Sequence, residues 1–161
     1  MRQRLSLKGR ALQLLAQRDQ SRVELRAKLI RYATAEARAH TEGEAADDEA
    51  GGGHAAEVEA LLDWLEANRF LSIERFVESR VHAREGRFGN RRIRAELAQH
   101  GVAVSPELAQ SLAESELQRA AAVRERRFAG LPGSTAERAA QTRFLAGRGF
   151  SPEVIQRLMR R

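Results

Sequence analysis

Apolar residues recur along the chain at helical spacing, and polar caps and glycines punctuate them. Leu7, Ala11, Leu14 and Leu15 stand at i, i+4, i+7 and i+8, one face of a helix that ends near Arg18. Ser21 and Glu24 then form a Ser-x-x-Glu capping box, in which hydroxyl and carboxylate satisfy free backbone donors, and Leu25, Leu29 and Tyr32 follow on one stripe. The stripe returns with Val58, Leu61, Leu62 and Leu65, beside Trp64, in a third helix running toward Phe70 and Leu71. Between them, residues 33–55 are dominated by Ala, Glu, Asp and Gly, including Asp47-Asp48-Glu49 and Gly51-Gly52-Gly53. Such a stretch is too polar to bury and reads as an acidic flexible insert.

The second half is punctuated more regularly. Ser72 is placed to cap a helix with Glu74 in its first turn and with Ile73, Phe76, Val77 and Val81 inward. Gly86 and Gly89 interrupt it. Asn90 reads as the cap of the next helix, through Ile93 and Leu97, which Gly101 closes as a left-handed stop. Ser105-Pro106-Glu107 starts another, with Leu108 and Leu112 inward, because proline at the first helical position loses no donor. A helix over about Leu117 to Ala129 follows, with Ala120, Ala121 and Phe128 as buried candidates. Ser134 and Glu137 repeat the capping box ahead of Ala140, Phe144 and Leu145. Ser151-Pro152-Glu153 opens the last helix, with Val154, Ile155, Leu158 and Met159. The count is nine helices.

The punctuation repeats. The two Ser-Pro-Glu starts lie 46 residues apart, and Gly101 and Gly149 lie 48 apart. Leu25 and Leu29 align with Ile93 and Leu97 at an offset of 68, which returns to about 48 once roughly 20 residues of insert are removed, a period typical of helical repeats. The expected architecture is all-α: three tandem three-helix repeats, over 1–71 (with the insert 33–55), 72–115 and 116–161. Stacked units of this kind form an elongated, curved molecule.

Composition narrows the function. Aromatic residues make up only 5% of the chain and there is no cysteine, which removes disulfides, thiolate catalysis and cysteine-based zinc sites. Arg2, Arg4, Lys8 and Arg10 surround isolated leucines rather than an apolar run, so a cytoplasmic protein that avoids the membrane is expected. The net charge of +6 is segregated: residues 1–32 hold nine Lys/Arg and two acids, whereas residues 33–60 hold one Arg and eight acids. Basic helices make polyanion contact a candidate role, although arginines also simply solvate outer helix faces.

Catalytic chemistry is missing. His40, His54, His82 and His100 sit at no catalytic or metal spacing, and Gly86-Arg87-Phe88-Gly89-Asn90 has too few glycines for a nucleotide loop. No enzymatic activity, cofactor or metal is expected. Arg84, Arg87, Arg91, Arg92 and Arg94 cluster around a glycine turn and a helix start, two features that attract anions. They can meet phosphates or an acidic protein groove, or they can pair with Glu85 and Glu96.

Beyond periodicity, the order of residues resembles the RecX family of recombination regulators. Leu65-Glu66, Phe70-Leu71-Ser72, Glu74-Arg75-Phe76, Glu78-Ser79-Arg80, Gly89-Asn90-Arg91-Arg92-Ile93, Glu96-Leu97 and Gly101-Val102 look like that family's central repeat. Arg143-Phe144-Leu145, Arg148-Gly149-Phe150-Ser151 and Val154-Ile155 resemble its last, and Ala11-Leu12, Ser21-Arg22, Glu24-Leu25 and Lys28-Leu29 its first. The acidic insert departs from the family, which usually joins those helices by a short turn. The resemblance implies a non-enzymatic protein, expected to be a monomer, that binds the RecA filament on single-stranded DNA and depresses its ATPase, strand-exchange and coprotease activities. The alternative is a basic helical protein that binds single- or double-stranded DNA independently of RecA. Candidate contact residues are Arg75, Arg80, Arg84, Arg87, Arg91, Arg92, Arg94, Arg143 and Arg148.

Overall fold

The computed structural model describes residues 5–40 and 50–160, and the only regular elements among them are α-helices. They are α1 (Leu7–Gln17), α2 (Arg22–His40), α3 (Ala50–Ala67), α4 (Ile73–Glu85), α5 (Asn90–Gln99), α6 (Pro106–Glu125), α7 (Thr135–Gly147) and α8 (Pro152–Met159). Serine hydroxyls start most of them. Ser21 accepts from the Glu24 amide at 3.1 Å, Ser72 from Arg75 at 3.2 Å, Ser105 from Leu108 at 3.2 Å and Ser134 from Glu137 at 3.2 Å. Gly101 and Gly149 stop α5 and α7 with φ of 72° and 82°. The chain divides into two compact units, Met1–Phe76 and Val77–Arg161.

The first unit packs α1, α2 and α3 around Ala11, Leu14, Leu25, Leu29, Val58, Leu62, Leu65 and Leu71. The opposite charges of its two halves meet across α2 and α3. Arg22 donates to Glu59 (2.7 Å), Asp63 (2.7 Å) and Glu66 (2.8 Å), and Arg26 donates to Glu59. Hydrogen bonds from Arg26 and Arg22 hold the Glu59 carboxyl below its ordinary pKa. The flanks of the expected flexible insert are helical: α2 continues to His40 and α3 begins at Ala50, with Ala33 buried. Ala and Glu are strong helix formers, and tertiary packing of the flanking turns outweighs their polarity. The rest of the expected insert, residues 41–49, lies outside the described residues.

The second unit gathers Ala120, Val123, Leu145, Phe150, Ile155, Leu158 and Met159 into one core and buries Ile93, Leu97, Val102 and Leu112 as well. The two helices expected over 105–112 and 117–129 are one, α6, so eight helices are described instead of nine. Nothing in Ala113-Glu114-Ser115-Glu116 breaks a helix, and the Ser115 hydroxyl bonds back to the Ser111 carbonyl at 3.1 Å, keeping its polar group within the turn. The boundary expected at 115/116 falls inside the span of this helix. Asn90 is the first residue of α5 rather than its cap, and Ile73 is exposed rather than inward.

Candidate functional site

A buried carboxylate organises the second unit. Glu116, midway along α6, is 3% exposed. Its Oε1 accepts from the amides of Asn90 (2.9 Å) and Ser151 (3.1 Å), and its Oε2 accepts from Asn90 Nδ2 (3.1 Å) and Ser151 Oγ (2.9 Å). Asn90 opens α5 and Ser151 precedes α8, so one negative charge satisfies free donors at two helix N-termini, where the backbone dipoles favour it. Less than a turn further on, Arg119 donates to the carbonyls of Phe88 (2.8 Å), Leu112 (3.1 Å) and Glu85 (3.3 Å) and to Asn90 Oδ1. Burial pushes the Arg119 guanidinium below its ordinary pKa, and the charges of Glu116 and Glu85 oppose that drop.

The clamp sets two loops side by side. The Gly89 amide donates to the Arg148 carbonyl at 2.9 Å, and the Arg91 amide to the Gly149 carbonyl at 3.0 Å. The approach requires glycine: a Cβ on Gly89 would stand 2.2 Å from the backbone N and Cα of Phe150, and one on Gly149 would stand 2.6 Å from the Arg92 Cβ.

From these loops and the ends of α6 and α7 grows a ladder of guanidiniums and rings. Phe88, 9% exposed, has Arg92 at 4.1 Å from its centre, with Arg148 at 5.6 Å, Arg87 at 5.7 Å and Arg84 at 5.8 Å. Arg148 also lies 5.1 Å from Phe144, which meets Phe128 edge-on at 5.3 Å, and Arg127 lies 5.6 Å from Phe128. Cation–π contacts of this kind are worth about 0.5–1 kcal/mol each at exposed sites. They hold long side chains in place.

The nine arginines singled out in the sequence separate into two groups. Arg80 and Arg84 are consumed by Glu96, at 3.0 and 2.8 Å. Burial works against the Glu96 charge, but Arg84 and Arg80 prevail and hold the carboxyl below its ordinary pKa. Arg75 belongs to the first unit, where it pairs with Asp19 at 3.2 Å and donates to the carbonyls of Arg69 and Phe70, bracing the turn before α4. By contrast Arg87, Arg91, Arg92, Arg94, Arg143 and Arg148 have no carboxylate within ion-pair distance among the described residues. The expected pairing with Glu85 or Glu96 therefore accounts for Arg84 alone within the 84–94 cluster.

Sequence reasoning missed Phe88 as the hub, Glu116 and Arg119 as the clamp, and Arg126 and Arg127. Arg126 donates to the carbonyls of Gly86 and Ala122, and together with Arg87, Arg127, Arg148, Val123 and Phe144 it lines a notch of about 240 Å³. The one readable signal was a phenylalanine between two glycines in an arginine-rich run. Among the described residues no group of three or more His, Asp or Glu stands close enough to hold a metal, and no helix is long and apolar enough to cross a membrane.

Two family models match the chain: RecX, second three-helix domain, over residues 74–105, and RecX, third three-helix domain, over residues 114–159. Over nearly its whole length the chain is also similar to curated proteins named regulatory protein RecX. It is 43% identical over 160 residues to that of Ralstonia pickettii (strain 12J), spanning 98% of this chain and 89% of the relative. Identity is 46% to that of Ralstonia nicotianae, with the same coverage, and 44% over 154 residues to that of Herbaspirillum seropedicae, spanning 94% and 88%.

Proposed function

Because the chain belongs to the RecX family of regulatory proteins, we propose that it binds the RecA filament on single-stranded DNA and restrains its ATPase, strand-exchange and coprotease activities. The observation that carries this reading beyond the family's regulatory role is the set of arginines without carboxylate partners around Phe88. Arg87, Arg92 and Arg148 are held by rings, so little side-chain entropy is lost when they engage an acidic surface. Several helical units on one chain add to this, since linked weak contacts reinforce one another. The reading places the protein in the cytoplasm, as a monomer acting by contact rather than by catalysis.

The alternative, direct DNA binding without RecA, draws on the same arginines. It gains little from base stacking, because Phe88 is covered by guanidiniums. Co-sedimentation with preassembled RecA filaments tests the proposal. The protein is expected in the pellet at a fixed ratio to RecA; its absence from the pellet, with salt-sensitive retention on naked DNA, would hand the function to the alternative.

A further inference from the structure

The notch between the end of α6 and the loop after α4 combines concentrated charge with small size. Four guanidiniums, of Arg87, Arg126, Arg127 and Arg148, line about 240 Å³, and none has a carboxylate within ion-pair distance among the described residues. Like charges so close repel one another, so an anion of more than one charge entering the notch is strongly favoured. The walls are built beforehand: Arg126 is fixed by the carbonyls of Gly86 and Ala122, and Arg148 by Phe88, Phe144 and the Arg87 carbonyl. Arg87 and Arg127 make no side-chain hydrogen bond to the described protein, which leaves their donors free.

We propose that this notch binds a compact diphosphate group, either free pyrophosphate or the phosphate tail of a nucleotide. Planar guanidinium forks match phosphate oxygens bidentately, and a diphosphate brings several charges into a volume where a protein carboxylate brings one. The volume lies below the roughly 300 Å³ from which pockets hold whole drug-sized ligands, so the phosphates enter and a nucleoside stays outside. The notch shares Arg87 and Arg148 with the arginines proposed to meet RecA, but its test uses no RecA and so fails or succeeds separately.

Thermal unfolding of the full chain tests it, with sodium pyrophosphate added at an ionic strength held constant by sodium chloride. Pyrophosphate at a hundred-fold excess over its dissociation constant is expected to raise the midpoint of the second unit by about 11 °C or more, saturably. Arg87→Ala with Arg127→Ala is expected to abolish the rise, and Arg94→Ala, which removes a charge outside the notch, to keep it. Titration calorimetry on the unaltered protein supplies a reading that does not depend on the variants folding. A rise with ADP equal to that with pyrophosphate assigns the group to a nucleotide tail, and a rise with pyrophosphate alone assigns it to the free anion. Three results would overturn the proposal: an equal rise from chloride, a rise that survives in the double variant, or a rise with an oligothymidylate and none with pyrophosphate.

Discussion

Replacing Glu116 by alanine removes the acceptor of four hydrogen bonds at once, from the amides of Asn90 and Ser151, from Asn90 Nδ2 and from Ser151 Oγ. A buried donor left unsatisfied costs about 1–3 kcal/mol, although the serine hydroxyl can turn and water can enter the space vacated. Arg119 is half-buried and would lose the attraction of the Glu116 charge. The orphaned donors and the lost attraction together are expected to cost about 3 kcal/mol, because Arg119 keeps three carbonyl partners. For a unit of this size the midpoint falls by roughly 12 °C or more. Glu116→Gln keeps one oxygen acceptor but turns an amide donor toward other donors, and should cost about 1–2 kcal/mol. Urea unfolding followed by circular dichroism measures both. An alanine variant within about 0.5 kcal/mol of the parent, or a glutamine variant worse than the alanine, would refute the clamp.

Gly89→Ala should separate the two loops, since its methyl would enter the Phe150 backbone; a cost above about 2 kcal/mol in the same unfolding assay is expected, and a neutral outcome would contradict the close approach. Hydrogen bonds from Arg18 and Lys28 outweigh the burial of Glu24 and hold it at about 2, against an ordinary 4.5, so its stabilisation is present above about pH 4.5 and fades as the pH falls toward 2. Allowing for solvent around the half-exposed Arg18, about 1 kcal/mol should be lost, and Glu24→Gln should flatten that part of the stability profile. Arg91→Glu with Arg92→Glu should weaken co-sedimentation with RecA filaments at least ten-fold while helix content survives; full binding would remove these arginines from the interface.

Short-range devices were legible in the sequence because their partners lie within a few residues. The serine caps, the left-handed Gly101, and the correspondence of Leu25 and Leu29 with the equally buried Ile93 and Leu97 all follow from local rules. The clamp was not legible. Glu116 looks like one more polar residue on a helix, and its partners stand 26 and 35 residues away. For the same reason the arginine run at 84–94 could not be sorted into paired and unpaired members: Glu96, on α5, takes Arg84 and Arg80 of α4, a matter of tertiary geometry. Missing the continuity of α6 and the helical flanks of the acidic stretch had a common cause. Both segments lack an apolar stripe over a few residues, yet no glycine or proline breaks α6, and packing carries α2 and α3 through their polar turns.

The central claim is that this chain restrains RecA, and ATP hydrolysis by RecA on single-stranded DNA measures it most directly. With increasing protein, the account predicts a progressive fall in hydrolysis that is essentially complete near stoichiometric amounts and is lost in the Arg91→Glu, Arg92→Glu variant. Hydrolysis unchanged at stoichiometric amounts of the unaltered protein would contradict it.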